Sequence, residues 1–397
     1  MTKADRVAEL FAEFGVSLAA PSLYDYGKLY AGADRYPVVF PSTTDELARI
    51  VRIARAQAIP LRVRASGHTF NGASLPREGE LLIRMDRLNH FRFDTPGALT
   101  AGAGALVWDV RDLAVEHGLN MPVYNGGWAG PTLGGYINAG GFAKGGLSAF
   151  FGGLWENVEA LTFVDGQGEV RTVDRDHALF PWMFGSYGQL GIIAEARLTM
   201  LYSSRNATRV YPHGLSGTIP ARQTDDPKLN DLAPRERGGS TLFWFSLLVS
   251  PADEARAWRD LEALVAAHPD YFVPEGGWAG PVRDGAPIGY HYVIKFRRFN
   301  PPLVYPRPET FLVIGVMSRL PSGDEESNRR LLALEREFIQ LAVAGGYRLY
   351  LQAENFGRQI DFRTYYGDAV FGEFQRWKAE CDPTGILNPG IVFASAV

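Results

Sequence analysis

The sequence predicts an α+β protein: a first domain built in two parts, and a second, cap-like domain with an antiparallel sheet covered by helices on one face. Three observations predict this. From residue 36 to 200, short apolar strands alternate with helical stretches. Beyond residue 200 the patterns run strand, helix, strand, strand, helix, strand, an order that folds as a four-stranded antiparallel sheet with two helices on one side. Within the first region lies a glycine-dense run, with eleven glycines in residues 126–153. A chain of 397 residues, 46% hydrophobic and 21% charged, is long enough for two or three cores of ordinary size. The boundaries expected are 1–204, 205–375 as the cap, and 376–397 as a return to the first domain.

Composition narrows the partners. Forty basic against forty-four acidic side chains leave a net charge of −4, so there is no broad positive field for nucleic acid or an anionic membrane. The single cysteine, Cys381, cannot form an internal disulfide or a thiolate zinc site, which points to a reducing, cytoplasmic setting. The opening MTKADRVAELFAEFG reads as a short amphipathic helix, and no apolar run approaches the ~18 residues of a membrane span.

In order along the chain, PVVFP is a strand, Ser42 and Thr43 offer helix caps, and DELARIVRIARAQ sets Leu47, Ile50, Val51 and Ala54 on one face. PLRVRAS completes a β-α-β unit, so the loop after it, GHTFNGAS, sits at a strand's carboxyl end, where open α/β sheets hold ligands. ELLIRM, HFRFDT and ALTAGAG read as strands and VWDVRDLAVEH as a helix. Residues 158–164 and 169–173 read as a hairpin closed by Asp165-Gly166-Gln167-Gly168. Residues 205–239 read as a connection. Strands are then expected over 241–250, 289–297, 310–317 and 347–354, and helices over 252–268 and 324–344.

The glycine density of 126–153 argues against regular helix or strand. From 118 to 155 the only charge is Lys144, unlike a solvated linker, so the segment is expected to pack against something flat. A charge-poor glycine loop suits an anion held by successive backbone N–H groups. Two such loops, Arg64-Ala65-Ser66-Gly67-His68-Thr69-Phe70-Asn71-Gly72-Ala73-Ser74 and the run containing PTLGGYINAGG, suit a dinucleotide's pyrophosphate. The phosphate-loop pattern GxxxxGK[ST], the zinc-protease HExxH, the nucleophile elbow GxSxG and the Rossmann GxGxxG do not occur.

The run R-A-S-G-H-T-F-N-G-A-S resembles the R-x-x-G-H-x-x-x-G-x-S loop of the berberine-bridge-enzyme branch of the vanillyl-alcohol-oxidase-like FAD flavoproteins, whose FAD-binding domain is of the PCMH type. PTLGGYINAGG is similar to the second glycine-rich FAD segment of that superfamily. F-G-S-Y-G-Q-L-G-I-I-A-E-A-R-L resembles its strand near the adenine end, and DPTGILNPG its C-terminal N-P-G. The resemblance covers about residues 36–200 and 380–397. It implies an FAD cofactor held by Arg64, Ser66, Gly67, His68, Thr69, Asn71 and Gly72 of the first loop and by Pro131, Thr132, Gly134, Gly135, Asn138, Gly140 and Gly141 of the second. Gly191, Ile193 and Asn388 complete that set. It further implies that His68 bonds covalently to the 8α-methyl of the flavin. The cysteine that bicovalent relatives carry before Pro-Thr is replaced here by Gly130.

On the cap side, alternation along 289–298 places Tyr292 and His291 on opposite faces, and 349–354 sets Tyr350 and Glu354 on one. These four are the candidate catalytic groups. Trp128, Phe142, Phe150, Phe151 and Trp155 are candidate walls of an apolar pocket. The metal-binding H-x-G-D-G-N-x-H of 2-hydroxy-acid relatives does not occur, so no metal is expected and that substrate class loses support. What the resemblance implies is hydride removal from a small or medium organic substrate, with oxygen or another acceptor taking the electrons. A redox-neutral flavin cyclase or isomerase and a non-catalytic flavin-binding module are the competing readings. Substrate, acceptor and oligomeric state are not readable from these residues.

Overall fold

In the computed structural model, which describes residues 2–20, 23–27, 29–95, 97–125, 130–142, 150–202, 214–219, 240–269, 290–295, 298–321, 325–351 and 360–391, the chain opens with helix α1 (Lys3–Leu10). Thr2 and Asp5 form its reciprocal capping box. Strands β1 (Ser17–Ala19), β2 (Tyr36–Val39), β3 (Leu61–Arg64) and β4 (Leu81–Arg84) form a sheet in the order β1-β2-β4-β3. β4 runs parallel to both β2 and β3, and β1 is antiparallel to β2. Helix α2 (Thr44–Ala56), capped by Thr43, buries Leu47, Ile50, Val51 and Ala54, the face its periodicity predicts.

A second sheet is antiparallel. It takes β5 (His90–Thr95), β6 (Ala98–Gly102), β8 (Val158–Val164), β9 (Val170–Asp174), β10 (Ile192–Thr199) and β12 (Ser216–Thr218) in the order β12-β5-β6-β10-β8-β9. Helix α3 (Val107–Glu116) packs on β7 (Leu119–Asn120), which pairs with β11 (Leu201–Tyr202). β12 lies inside 205–239, so part of the stretch read as a connection adds a strand to this sheet beside β5.

A third sheet has the order β14-β15-β13-β16, all antiparallel, from β13 (Ser240–Val249), β14 (Tyr290–Ile294), β15 (Phe311–Pro321) and β16 (Arg348–Leu349). The helices Glu254–Ala267 and Glu325–Gly345 touch each other and both pack on β13, so they share a face. Phe245 of β13 stacks on Phe338 with ring centroids 3.7 Å apart. Of the strand expected over 347–354, the described residues show Arg348–Leu349, and 352–354 lie outside them. Helices Phe362–Tyr366 and Asp368–Cys381 follow, and the chain then returns to β3, where the Leu61 amide donates to the Ile386 carbonyl at 2.8 Å.

The glycine-dense run departs from expectation. It contains helix α4 (Leu133–Asn138), whose first turn Thr132 caps through the Gly135 amide. Sealing against β6 and the segment after it, with Gly134 N–H donating to the Ala103 carbonyl at 2.9 Å, offsets the weak helix propensity of Gly134 and Gly135. The aromatic wall is also corrected. Trp155 is fully buried core, Phe142 packs on Tyr350, and Phe150 is 68% exposed; Trp128 lies outside the described residues.

Candidate functional site

β3 ends at Arg64, and the loop that follows turns at Gly67, in the left-handed region with φ +71°. Arg64, buried at the strand end, donates from Nη1 to Ser74 Oγ and from Nη2 to the Tyr24 carbonyl, both at 2.8 Å. These bonds fold the loop back on itself. His68 then stands against Tyr26, with ring centroids 4.0 Å apart. Packing strips water from the imidazole and pushes its pKa down to about 4, so the ring is neutral at physiological pH.

A cleft opens between this loop, residues 131–139 and residues 187–193, and Asn388 and Ile391 close one side. It encloses about 850 Å³ of empty space, the open solvent at its mouth included. Its wall is largely backbone, small side chains and aliphatic groups. Among the described lining residues Arg64 carries the only formal charge, and no carboxylate faces the space. An anionic, elongated ligand fits that wall.

The third segment is held under strain. Tyr187 adopts φ +54°, which a bulky side chain rarely tolerates. Its N–H donates to the Asn138 carbonyl at 3.1 Å, and its carbonyl accepts Asn388 Nδ2 at 2.8 Å. Asn138 Oδ1 also accepts the Gly188 amide at 3.1 Å, and Asn388 Oδ1 accepts the Val63 amide at 2.9 Å. Two asparagines therefore tie three chain segments into one wall. Asn388→Ala removes both bonds from a buried site, and we expect a loss of about 1–3 kcal/mol in urea unfolding together with weaker cofactor binding. Unchanged unfolding and binding would remove this role.

Most of the residues predicted from the loops meet here. Arg64, Ser66, Gly67, His68, Thr69, Pro131, Thr132, Gly134, Gly135, Asn138, Ile193 and Asn388 all line the cleft. Five do not. Asn71 donates to the Leu351 carbonyl at 2.8 Å and so tethers the loop to the chain after β16. Gly72, Gly140, Gly141 and Gly191 stand behind the lining in crowded places, where a β-carbon would lie 3.1 Å from Tyr30, 2.2 Å from Val304, 2.2 Å from the Tyr136 ring and 2.2 Å from the Phe163 ring, respectively, and Gly72 and Gly140 also take φ of +66° and +67°. Tyr136, Tyr187 and Ser74 line the cleft without a sequence signal of their own; only the loop strings that contain them pointed that way.

Of the four catalytic candidates, only Tyr350 has a described side chain. Tyr350 is 4% exposed, with its ring 4.5 Å from Phe142, and it does not line the cleft. It borders Tyr136, whose hydroxyl donates to the Phe142 carbonyl and whose pKa burial holds well above the usual phenol range, with the nearby Tyr350 adding to the effect. His291 and Tyr292 occupy β14, where Tyr292 pairs with Val313, and their side chains lie outside the described residues, as does Glu354 entirely. Among the described residues no group of three or more His, Cys, Asp or Glu could hold a metal, and no helix is long and apolar enough to cross a membrane.

Comparison with known proteins adds a family. Residues 37–174 match a family described as an FAD binding domain. The chain is 33% identical over 171 residues to an uncharacterised oxidoreductase of the fasciation locus of Rhodococcoides fascians, an alignment covering 42% of this chain and 38% of that protein. It is 31% identical over 188 residues to cytokinin dehydrogenase 5 of Arabidopsis thaliana, covering 44% and 34%. To the D-lactate dehydrogenase of Archaeoglobus fulgidus it is 26% identical over 186 residues, covering 44% and 41%. These alignments thus span well under half the length of each relative. The match falls on the segment that supplies two walls of the cleft, and it identifies residues 37–174 as an FAD binding domain similar to those of FAD-linked oxidoreductases and cytokinin dehydrogenases.

Proposed function

We propose that this protein is an FAD-dependent oxidoreductase that removes hydride from a small or medium organic substrate, with FAD in the cleft and covalently attached through His68. The observation that carries the reading is the cleft wall itself: two glycine loops, one buried guanidinium, no carboxylate, and a neutral imidazole. The backbone of Ser66–Thr69 and the Arg64 guanidinium would hold the diphosphate, and Gly188, Ile193 and Asn388 would flank the nucleotide's far end. When bound, the flavin supplies a hydride acceptor at N5. His68 offers an unprotonated ring nitrogen at every pH above about 4, which covalent attachment requires.

Residues 1–204 with 376–397 form the FAD-binding part in this reading, and 205–375 form the cap that shapes the substrate side. Tyr350 packs on Phe142 and borders Tyr136 of the cleft wall, so in this reading it supports that wall as a positioning residue. Alcohols, amines, lactones and natural-product intermediates are the substrate classes to screen, with oxygen or another acceptor completing turnover. A lone, buried Cys381 suits a cytoplasmic setting. Anaerobic mixing with these compounds tests the activity, because a substrate bleaches the flavin absorbance. Turnover without bleaching would replace oxidation with the redox-neutral reading, and no reaction with any class would favour a binding module.

Gly130 makes room for His68. A β-carbon there would fall 2.2 Å from His68 Nδ1, so Gly130→Ala must displace the imidazole. We expect the fraction of flavin that survives denaturation to fall at least about tenfold, since misplacing a reacting group by ~1 Å costs on the order of 100-fold. Full attachment in this variant would show that His68 does not need that space.

A further inference from the structure

Asp25 is a buried carboxyl beside the cleft that the proposed chemistry does not use. It is fully buried, its Oδ1 accepts the Tyr30 amide at 3.0 Å, and its Oδ2 has no hydrogen-bond partner among the described residues. The adjacent Tyr24 carbonyl accepts Arg64 Nη2 at 2.8 Å, which brings the guanidinium on the cleft wall close to Asp25. From the other side comes Glu335 on helix Glu325–Gly345, 3% exposed and bonded to the Tyr30 hydroxyl at 2.6 Å. Among the described residues, Arg64 and Glu335 are the charged groups that act on Asp25, and the phenol of Tyr30 is committed to Glu335. The Arg64 guanidinium therefore acts on a buried carboxyl before any anion enters the cleft.

We propose that the fraction of Asp25 still ionised in the empty protein takes up a proton from solvent when the FAD diphosphate binds, because the diphosphate takes over the Arg64 guanidinium that otherwise favours the Asp25 carboxylate. This rests on the FAD reading above. In the empty protein, loss of hydration dominates at Asp25 and raises its pKa to about 8, with Glu335 pushing the same way and Arg64 opposing. A diphosphate beside Arg64 screens that opposition and raises the pKa further. Linkage then gives the sign: affinity for FAD is highest below pH 8, where Asp25 is already protonated. Above it, affinity falls by up to about tenfold per pH unit until the bound form also ionises.

Calorimetric titration of FAD into apoprotein carrying His68→Ala, which keeps binding reversible, counts the protons directly when it is repeated in buffers of different ionisation enthalpy. The expected uptake is near zero at pH 6.5 and roughly half a proton or more per FAD at pH 8.5. It should vanish when Asp25→Asn is added. Equal uptake with and without Asp25→Asn, or none between pH 6.5 and 9, overturns the proposal. The parent count stands by itself if the Asp25→Asn protein does not fold. Failure of FAD to bind at any pH would instead overturn the cofactor reading on which the proposal rests.

Discussion

His68→Ala should yield a protein that binds FAD yet releases all of it on denaturation, whereas the parent chain keeps close to one flavin per polypeptide. The state of the imidazole decides this. A histidine at its ordinary pKa of 6.5 is partly protonated at neutral pH, and the protonated ring is no nucleophile; burial against Tyr26 lowers this one to about 4. Attachment should therefore be insensitive to pH from 5 to 8 and slow as the pH falls through about 4. The same shift has a stability consequence. Between pH 6.5 and 4 the unfolded chain binds a proton that the folded one does not, so acidification through that window destabilises the flavin-free parent more than flavin-free His68→Ala. Gel filtration in denaturant, reading flavin absorbance with the protein peak, decides the attachment. Yellow colour co-eluting with the alanine variant would refute it.

Glu80→Ala should cost about 3–5 kcal/mol, the usual loss when one partner of a buried ion pair is removed and the other is left uncompensated. Arg62 and Glu80 are 1% and 4% exposed and form a two-pronged pair, with Nε–Oε2 at 2.9 Å and Nη2–Oε1 at 2.6 Å. The same guanidinium donates to the carbonyls of Ala73 and Pro389 at 3.1 and 2.9 Å, so it joins β3, the first glycine loop and the C-terminal turn. Breaking the pair should therefore weaken FAD binding as well as unfolding resistance, although neither residue lines the cleft. Urea denaturation read by linear extrapolation measures the first effect. An apolar double replacement, Arg62→Met with Glu80→Leu, should recover most of the loss because no charge remains stranded. A single-variant loss below about 1 kcal/mol would contradict the role given to the pair.

Much of this architecture was legible because local signals agreed with the fold. Thr43 capping α2, the buried stripe Leu47, Ile50, Val51 and Ala54, and the Asp165–Gly168 turn between β8 and β9 are each decided within a few residues. The site was legible to the extent that its wall is backbone on contiguous loops, which is why twelve predicted residues meet in one cleft. Glycine identity alone does not show where tertiary contact puts it: nothing in the string separates Gly67, which lines the cleft, from Gly191, whose missing β-carbon leaves space for the Phe163 ring. Helix α4 was hidden for the same reason, since the Gly134 amide is held by the Ala103 carbonyl, just past β6 and distant in sequence. The left-handed Tyr187 depends on Asn388, two hundred and one residues away, and no local pattern encodes it. On the cap, alternation told which residues share a face but not that Tyr350 would close on Phe142.

Titration of the apoprotein with FAD, followed by quenching of flavin fluorescence, is the shortest route to the core of this account. One equivalent should bind per chain, and excess ADP, which shares the diphosphate, should compete. A chain that stays colourless at saturating FAD, or that binds it without competition from ADP, would contradict a cleft built around that diphosphate.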